Sequence, residues 1–293
     1  MMRRRARVHN GRMPHFIDSW GVRIYYQSWR VDDPHAIVQL SHGAGEHIGR
    51  YTELVRALNS AGYSVWADDH RGHGRTGFEQ HGGDLSRMGR PGPGGLDGTI
   101  AAIERFTDVI RETEGDVPLV YLGHSWGSLM GQIIINRHAD RYDGVVLSGT
   151  AHRTPLGMNA GDLNARFRHL GPSPAEWLTR DRAVIDDFMR DPYTTTVPLK
   201  KLYGYRDTLR LYGRPARNLP PELPLLILVG SDDALGGEQS ALSLAKDYAE
   251  RSGLVDIKII VYEGARHEVF NEINRAEVMA DLVLWLDERF AGD

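Results

Sequence analysis

The chain of 293 residues contains no cysteine. That excludes disulfides, thiol nucleophiles and thiolate-bound metals, and it fits a reducing, cytoplasmic compartment. No apolar run approaches the ~20 residues needed to cross a bilayer. An excess of one charge is missing too: 35 Lys and Arg against 39 Asp and Glu leave a net charge of −4. So small an imbalance gives no electrostatic reason to expect a nucleic-acid partner. Basic residues do cluster at Arg3-Arg4-Arg5-Ala6-Arg7, yet only Val8-His9-Asn10-Gly11 follows, not the apolar stretch of a secretory signal. Residues 1–13 therefore read as a disordered basic arm. The rest has an ordinary soluble composition, 41% hydrophobic and 25% charged. It is long enough for one large core carrying an inserted subdomain.

From residue 14 onward, short apolar runs alternate with helical patterns. His15 to Asp18 and Arg23 to Trp29 flank a turn at Ser19-Trp20-Gly21 and predict a hairpin. Ala36–Leu40, Tyr63–Ala67, Val117–Leu122, Val145–Ser148, Leu225–Val229 and Ile257–Tyr262 read as buried strands. Helices are predicted over about 50–60, 99–112 and 237–251. A closing helix carries Val278, Leu282, Trp285 and Leu286 on one face. This alternation implies an α/β fold, a mostly parallel sheet flanked by helices. Between Gly149 and Pro221 the rhythm stops, and Pro172, Pro174, Pro192, Pro198 and Pro215 divide the segment into short pieces. A stretch so long within one domain reads as a helical cap inserted over the sheet edge. The expected division is a core of residues 14–148 and 222–293 with a cap of residues 149–221.

The stretch most informative about chemistry is Gly123-His124-Ser125-Trp126-Gly127. Gly-x-Ser-x-Gly between a buried strand and a helix is the spacing of a nucleophile elbow. Small residues two positions either side let strand and helix approach while the serine occupies a strained turn. Two further strands end in chemistry-bearing residues: Asp232 and Asp233 in one loop, His267 in another. Open parallel sheets bind ligands along that edge, and the order Ser, Asp, His is that of α/β-hydrolases. Position alone leaves Asp232 and Asp233 as alternatives. Earlier in the chain, Ser41-His42-Gly43-Ala44-Gly45-Glu46-His47 follows a strand and could turn N–H groups toward a ligand. The cluster Asp68 to Gly77 holds two Asp and two His, but they are crowded in one turn. Local hydrogen bonding explains it better than a metal, so no metal and no cofactor are expected.

Several motifs together resemble one family. His42-Gly43-Ala44-Gly45-Glu46-His47 with Arg50-Tyr51, Asp69-His70-Arg71-Gly72-His73-Gly74-Arg75, the elbow, and Tyr262-Glu263-Gly264-Ala265-Arg266-His267-Glu268 are similar to the monoacylglycerol lipase and lysophospholipase-like branch of the α/β-hydrolases, the serine aminopeptidase S33 type. The likeness runs from about residue 14 to 290 and touches the cap at Trp177 to Asp181 and Asp191-Pro192. It implies a serine esterase that forms an acyl-enzyme, with Ser125, Asp233 and His267 as catalytic residues. It also implies that the N–H groups of Ala44 and Trp126 form the oxyanion hole. The implied partner is a small or lipid-like ester, met by a cap that touches a membrane surface transiently. Acyl transfer, peroxidase or peptidase chemistry on the same triad is the alternative, and a non-catalytic binding protein the more distant one. Where relatives often carry Met after the serine, this chain has Trp126, whose ring argues for an earlier acyl-length limit.

Overall fold

The computed structural model describes residues 13–292, so the basic arm expected at the start lies, apart from Met13, outside the described residues. Eight strands form one sheet: β1 (His15–Ile17), β2 (Arg23–Trp29), β3 (Ile37–Ser41), β4 (Ser64–Asp68), β5 (Leu119–His124), β6 (Gly144–Ser148), β7 (Leu225–Gly230) and β8 (Ile257–Tyr262). Their order is β1-β2-β4-β3-β5-β6-β7-β8. The first two strands form the predicted hairpin, and β2 pairs antiparallel with β4. Every later pairing is parallel.

Alternation within the buried runs decides which helix covers which face. Val38 and Leu40 of β3 and Val120 and Leu122 of β5 point to the side covered by α1 (Thr52–Ser60) and α8 (Arg275–Phe290). There Val278, Leu282, Trp285 and Leu286 of α8 are buried as the periodicity predicts. The intervening Ile37, Leu119 and Tyr121 pack on the opposite side against α3 (Gly95–Glu114) and α4 (Trp126–His138). On that side α7 (Gly237–Asp247) covers Val145, Leu147, Leu225 and Ile227. Each fully buried aliphatic side chain contributes about 1.5–3 kcal/mol, so the two faces together hold the sheet rigid beneath its loops.

The turn after β4 combines the expected local hydrogen bonds with long-range ones. Within it His70 Nδ1 lies 2.9 Å from Asp68 Oδ2, and its end is the short helix α2 (Gly74–Gln80). Asp69 accepts from Ile48 N at 3.1 Å and from Arg75 N at 2.7 Å. Arg71, fully buried, bonds Asp18 at 2.9 Å and the Pro91 carbonyl at 3.1 Å. A buried guanidinium needs several acceptors at once, and only distant segments supply them. Among the described residues, no group of three or more His, Asp or Glu is placed to hold a metal ion.

The connection from β6 to β7 contains no strand. Its regular parts are a 3₁₀ turn at Ala165–Phe167, α5 (Arg182–Arg190) and α6 (Leu199–Arg210), the last kinked at Gly204. Prolines account for the brevity of these pieces, since each removes a backbone donor and disfavours helix just before it. A small apolar nucleus of Ala175, Leu178, Ile185 and Phe188 holds part of the connection together. No helix among the described residues is long and apolar enough to cross a membrane.

Candidate active site

Ser125 is the hinge between β5 and α4, with φ 52° and ψ −119°. A non-glycine residue in that region carries strain of about 1–3 kcal/mol and persists only where its surroundings enforce it. They do so here. A Cβ on Gly123 would fall 2.7 Å from the Gly127 carbonyl oxygen, and one on Gly127 would fall 2.2 Å from that of Ser41. Ser125 N donates to Ser148 O at 2.9 Å, tying the turn to β6. The serine side chain is thereby raised above the sheet edge.

Asp233 and His267 reach the same point from the loops after β7 and β8. His267 Nε2 lies 2.7 Å from Ser125 Oγ, and His267 Nδ1 lies 2.9 Å from Asp233 Oδ1. The structure thus brings Ser125, His267 and Asp233 into one hydrogen-bonded chain. Asp232 is not part of it: its side chain is exposed, and its carbonyl accepts from Arg166. Burial alone would lower the pKa of His267, but the Asp233 carboxylate, with lesser contributions from Glu268 and Glu46, outweighs this and raises it. The neighbouring His124 differs. Burial, then the charge of His267, pushes it down to about 4 and keeps it neutral.

The loop after β3 brings Ala44 to the site, and Trp126 opens α4. Both border a cavity of about 740 Å³ that also contains Ser125 and His267. Neither backbone N–H has an acceptor among the described residues. The N-terminal position of Trp126 adds the helix dipole to its donor. The ring of Trp126 is only 1% exposed and stacks on Tyr203 of α6 at 4.8 Å. It also meets His73, with ring centroids 5.4 Å apart. Most of the cavity wall comes from the β6–β7 connection, including Met158, Trp177, Leu178 and Leu211. Trp177 lies over His267 at 4.6 Å and screens it from water.

Three charged residues beneath the site carry no role in a reading of the sequence alone. Arg50 forks onto Glu268, with Nη1 and Nη2 each 2.6 Å from an oxygen, and reaches Glu46 at 2.7 Å. Glu46 in turn accepts from Gly43 N at 2.6 Å and from the Tyr51 hydroxyl at 2.7 Å. Burial would raise the Glu268 carboxyl, but Arg50 pulls it down to about 2. The loop bearing Ala44 and the loop bearing His267 are therefore locked by one buried ionic cluster. All three residues lie inside the motifs that carry the family resemblance, which was the available signal.

Known proteins resemble the chain along most of its length. The chain is 30% identical to the monoacylglycerol lipase of Mycolicibacterium smegmatis, covering 91% of this chain and 93% of that protein. It is 28% identical to the monoglyceride lipase of Mus musculus, covering 96% and 92%. Among solved structures, a thermostable carboxyl esterase from Bacillus coagulans superposes with a TM-score of 0.79 at 22% identity, covering 95% of this chain and 98% of that one. A monoglyceride lipase from Saccharomyces cerevisiae gives a TM-score of 0.72 at 20% identity, covering 98% of each chain. The family model described as "Serine aminopeptidase, S33" matches residues 32–274. With a parallel sheet, a strained Ser125 at its edge and relatives of this kind along nearly its whole length, the chain belongs to the serine aminopeptidase S33 family of α/β-hydrolases.

Proposed function

We propose that the chain is a serine hydrolase of carboxylic esters that acts through an acyl-enzyme, with monoacylglycerol-like esters as its substrates. The observation that carries this reading is the Asp233–His267–Ser125 chain of hydrogen bonds opening onto a largely apolar cavity. Ser125 Oγ attacks the ester carbonyl as its proton passes to His267 Nε2. Asp233 holds the imidazole with Nε2 free to accept and stabilises the imidazolium. The oxyanion is taken by the N–H groups of Ala44 and Trp126. His267 then gives its proton to the departing alkoxide. A water molecule, deprotonated by the same nitrogen, releases the acid and restores Ser125.

An ester fits this cavity better than a peptide with a free amino terminus. Holding that terminus would require an unpaired carboxylate, and the two acids that line the cavity beside Ser125, Glu46 and Glu268, are already taken by Arg50. Asp162, farther along the wall, is paired with Arg168. Residues 149–221 act as the cap, supplying the acyl-binding wall, and residues 14–148 and 222–293 form the catalytic core. Leu156, Leu170, Val197, Tyr205 and Leu209 expose apolar surface on the cap, which suits brief contact with a lipid surface. The cytoplasmic placement rests on the cysteine-free sequence.

The test is hydrolysis of monoacylglycerols, lysophospholipids and p-nitrophenyl esters of graded length by the native chain and by Ser125→Ala. Turnover of monoacylglycerols that disappears in the variant supports the reading. Full activity in the variant, or none on any ester in the native chain, overturns it.

A further inference from the structure

The oxyanion donor proposed at Ala44 sits in a loop held from two sides. On the core side, Gly43 N donates to Glu46 Oε1 at 2.6 Å. On the cap side, Thr195 N donates to Gly45 O at 2.9 Å. Ala44 is bracketed by these two bonds. The second requires close approach of two backbones: Gly45 has φ 73°, and a Cβ there would fall 2.2 Å from the Thr195 carbonyl oxygen. One residue pair brings the cap segment to that position. His47 Nε2 lies 2.8 Å from Asp191 Oδ2. His47 Nδ1 accepts from Gly49 N at 3.2 Å, so the ring proton is on Nε2 and is donated to Asp191. Asp191 uses its other oxygen to accept from Tyr193 N at 2.8 Å, and its carbonyl accepts from the Thr194 hydroxyl at 3.0 Å. This turn presents Thr195 N to Gly45. Burial favours the neutral Asp191 carboxyl, but the bonds from His47 and Tyr193 N prevail and hold it below the usual range, an ionised acceptor.

We infer that His47 and Asp191 are positioning residues of the oxyanion hole: their contact holds the cap turn against the loop that aims the Ala44 N–H. Half of the oxyanion hole is then assembled by the cap. The cap contributes to the chemical step and not only to acyl binding. The pair touches no reacting atom; it acts through Thr195 and Gly45. The inference rests on the oxyanion role proposed for Ala44.

The experiment uses p-nitrophenyl acetate, whose two-carbon acyl group is too short to depend on the cap wall. One oxyanion donor contributes ~10²–10³-fold to kcat, so a misaimed one should cost ~10-fold or more. His47→Ala and Asp191→Ala should each lower kcat by about that factor with KM within about twofold. A trifluoromethyl ketone, whose adduct places an oxyanion in the same hole, should lose affinity by a similar factor. The double variant should be no slower than the slower single one, since both remove one contact. His47→Gln keeps an N–H donor and should recover most of the rate, and Asp191→Asn, which retains the turn, guards against loss of folding. Unchanged kcat and ketone affinity in all variants would overturn the inference. So would a defect confined to KM on long acyl esters, which would make the pair part of the acyl wall. Ser125→Ala, assayed alongside, separates the two claims. If that variant is inactive while the His47 and Asp191 variants are normal, the hydrolase reading stands and only the clamp fails.

Discussion

Asp233 Oδ1 accepts two hydrogen bonds at once, from His267 Nδ1 at 2.9 Å and from Leu235 N at 2.8 Å. The backbone bond fixes the carboxylate, and the carboxylate fixes the imidazole. Asp233→Asn presents an amide that can favour the wrong tautomer of His267, so kcat should fall by roughly 10⁴-fold, as for triads of this kind. Asp232→Asn changes an exposed side chain and should leave kcat within about twofold. Steady-state kinetics of the two variants decide the matter, and the reverse ranking would remove Asp233 from the triad.

The raised pKa of His267 has a sign that activity should report. The base must be neutral, so kcat/KM should rise with pH through an apparent pKa above the ordinary ~6.5 of histidine. Folding stability runs the other way. The contribution of the His267–Asp233 pair is fully present below the unfolded pKa and is lost as pH rises through the folded one. A kcat/KM profile with its acid limb below 6.5 would contradict this arrangement.

Arg50 neutralises two carboxylates that are almost fully buried, Glu46 and Glu268. Arg50→Met keeps an unbranched apolar stem but leaves both acids without their cation. Removing one partner from a buried pair typically costs about 3–5 kcal/mol. Urea titrations near pH 7 should show a loss of that size, with the midpoint moving and the slope unchanged. A loss below about 1 kcal/mol would mean that water reaches the cluster.

Trp126 contributes a backbone donor and, separately, a bulky ring. Because the ring packs against Tyr203 and His73, Trp126→Met should open space at the wall while sparing the N–H. Rates on p-nitrophenyl esters of increasing length should then peak at a longer acyl chain, with short esters turned over as before. Each additional accommodated methylene is worth about 0.8 kcal/mol, or roughly fourfold in kcat/KM. An unchanged profile would assign the length limit to the cap.

Much of this fold could be read from the chain because its strands are continuous apolar runs separated by helical periodicity. The parallel sheet, the hairpin and the face of α8 follow from those patterns. The elbow was legible for a steric reason, since few other arrangements need glycine at 123 and 127 around a serine. Choosing between Asp232 and Asp233 needed the family motif, because adjacent residues in a loop share one hydropathy pattern. Other features left no local trace. Glu268 joins Arg50 and Glu46 only when loops 218 residues apart are brought together. The acceptors of Arg71 are likewise distant in sequence. The packing of the Trp126 ring depends on Tyr203, in a segment whose prolines conceal any periodicity.

The distance along the chain between Ser125 and His267 also determines when activity can first appear. Those residues are 142 positions apart and hang from different strands, so neither local helix formation nor the β3–β5 pairing can unite them. Pairings this remote close large loops and form slowly. A refolding chain can thus acquire its elbow and still have no general base, until β7, with β8 beside it, pairs with the distant β6. Ester turnover should return after the far-ultraviolet circular dichroism signal has recovered. In this protein, hydrolysis is a readout of the pairing that joins β7 and β8 to the rest of the sheet.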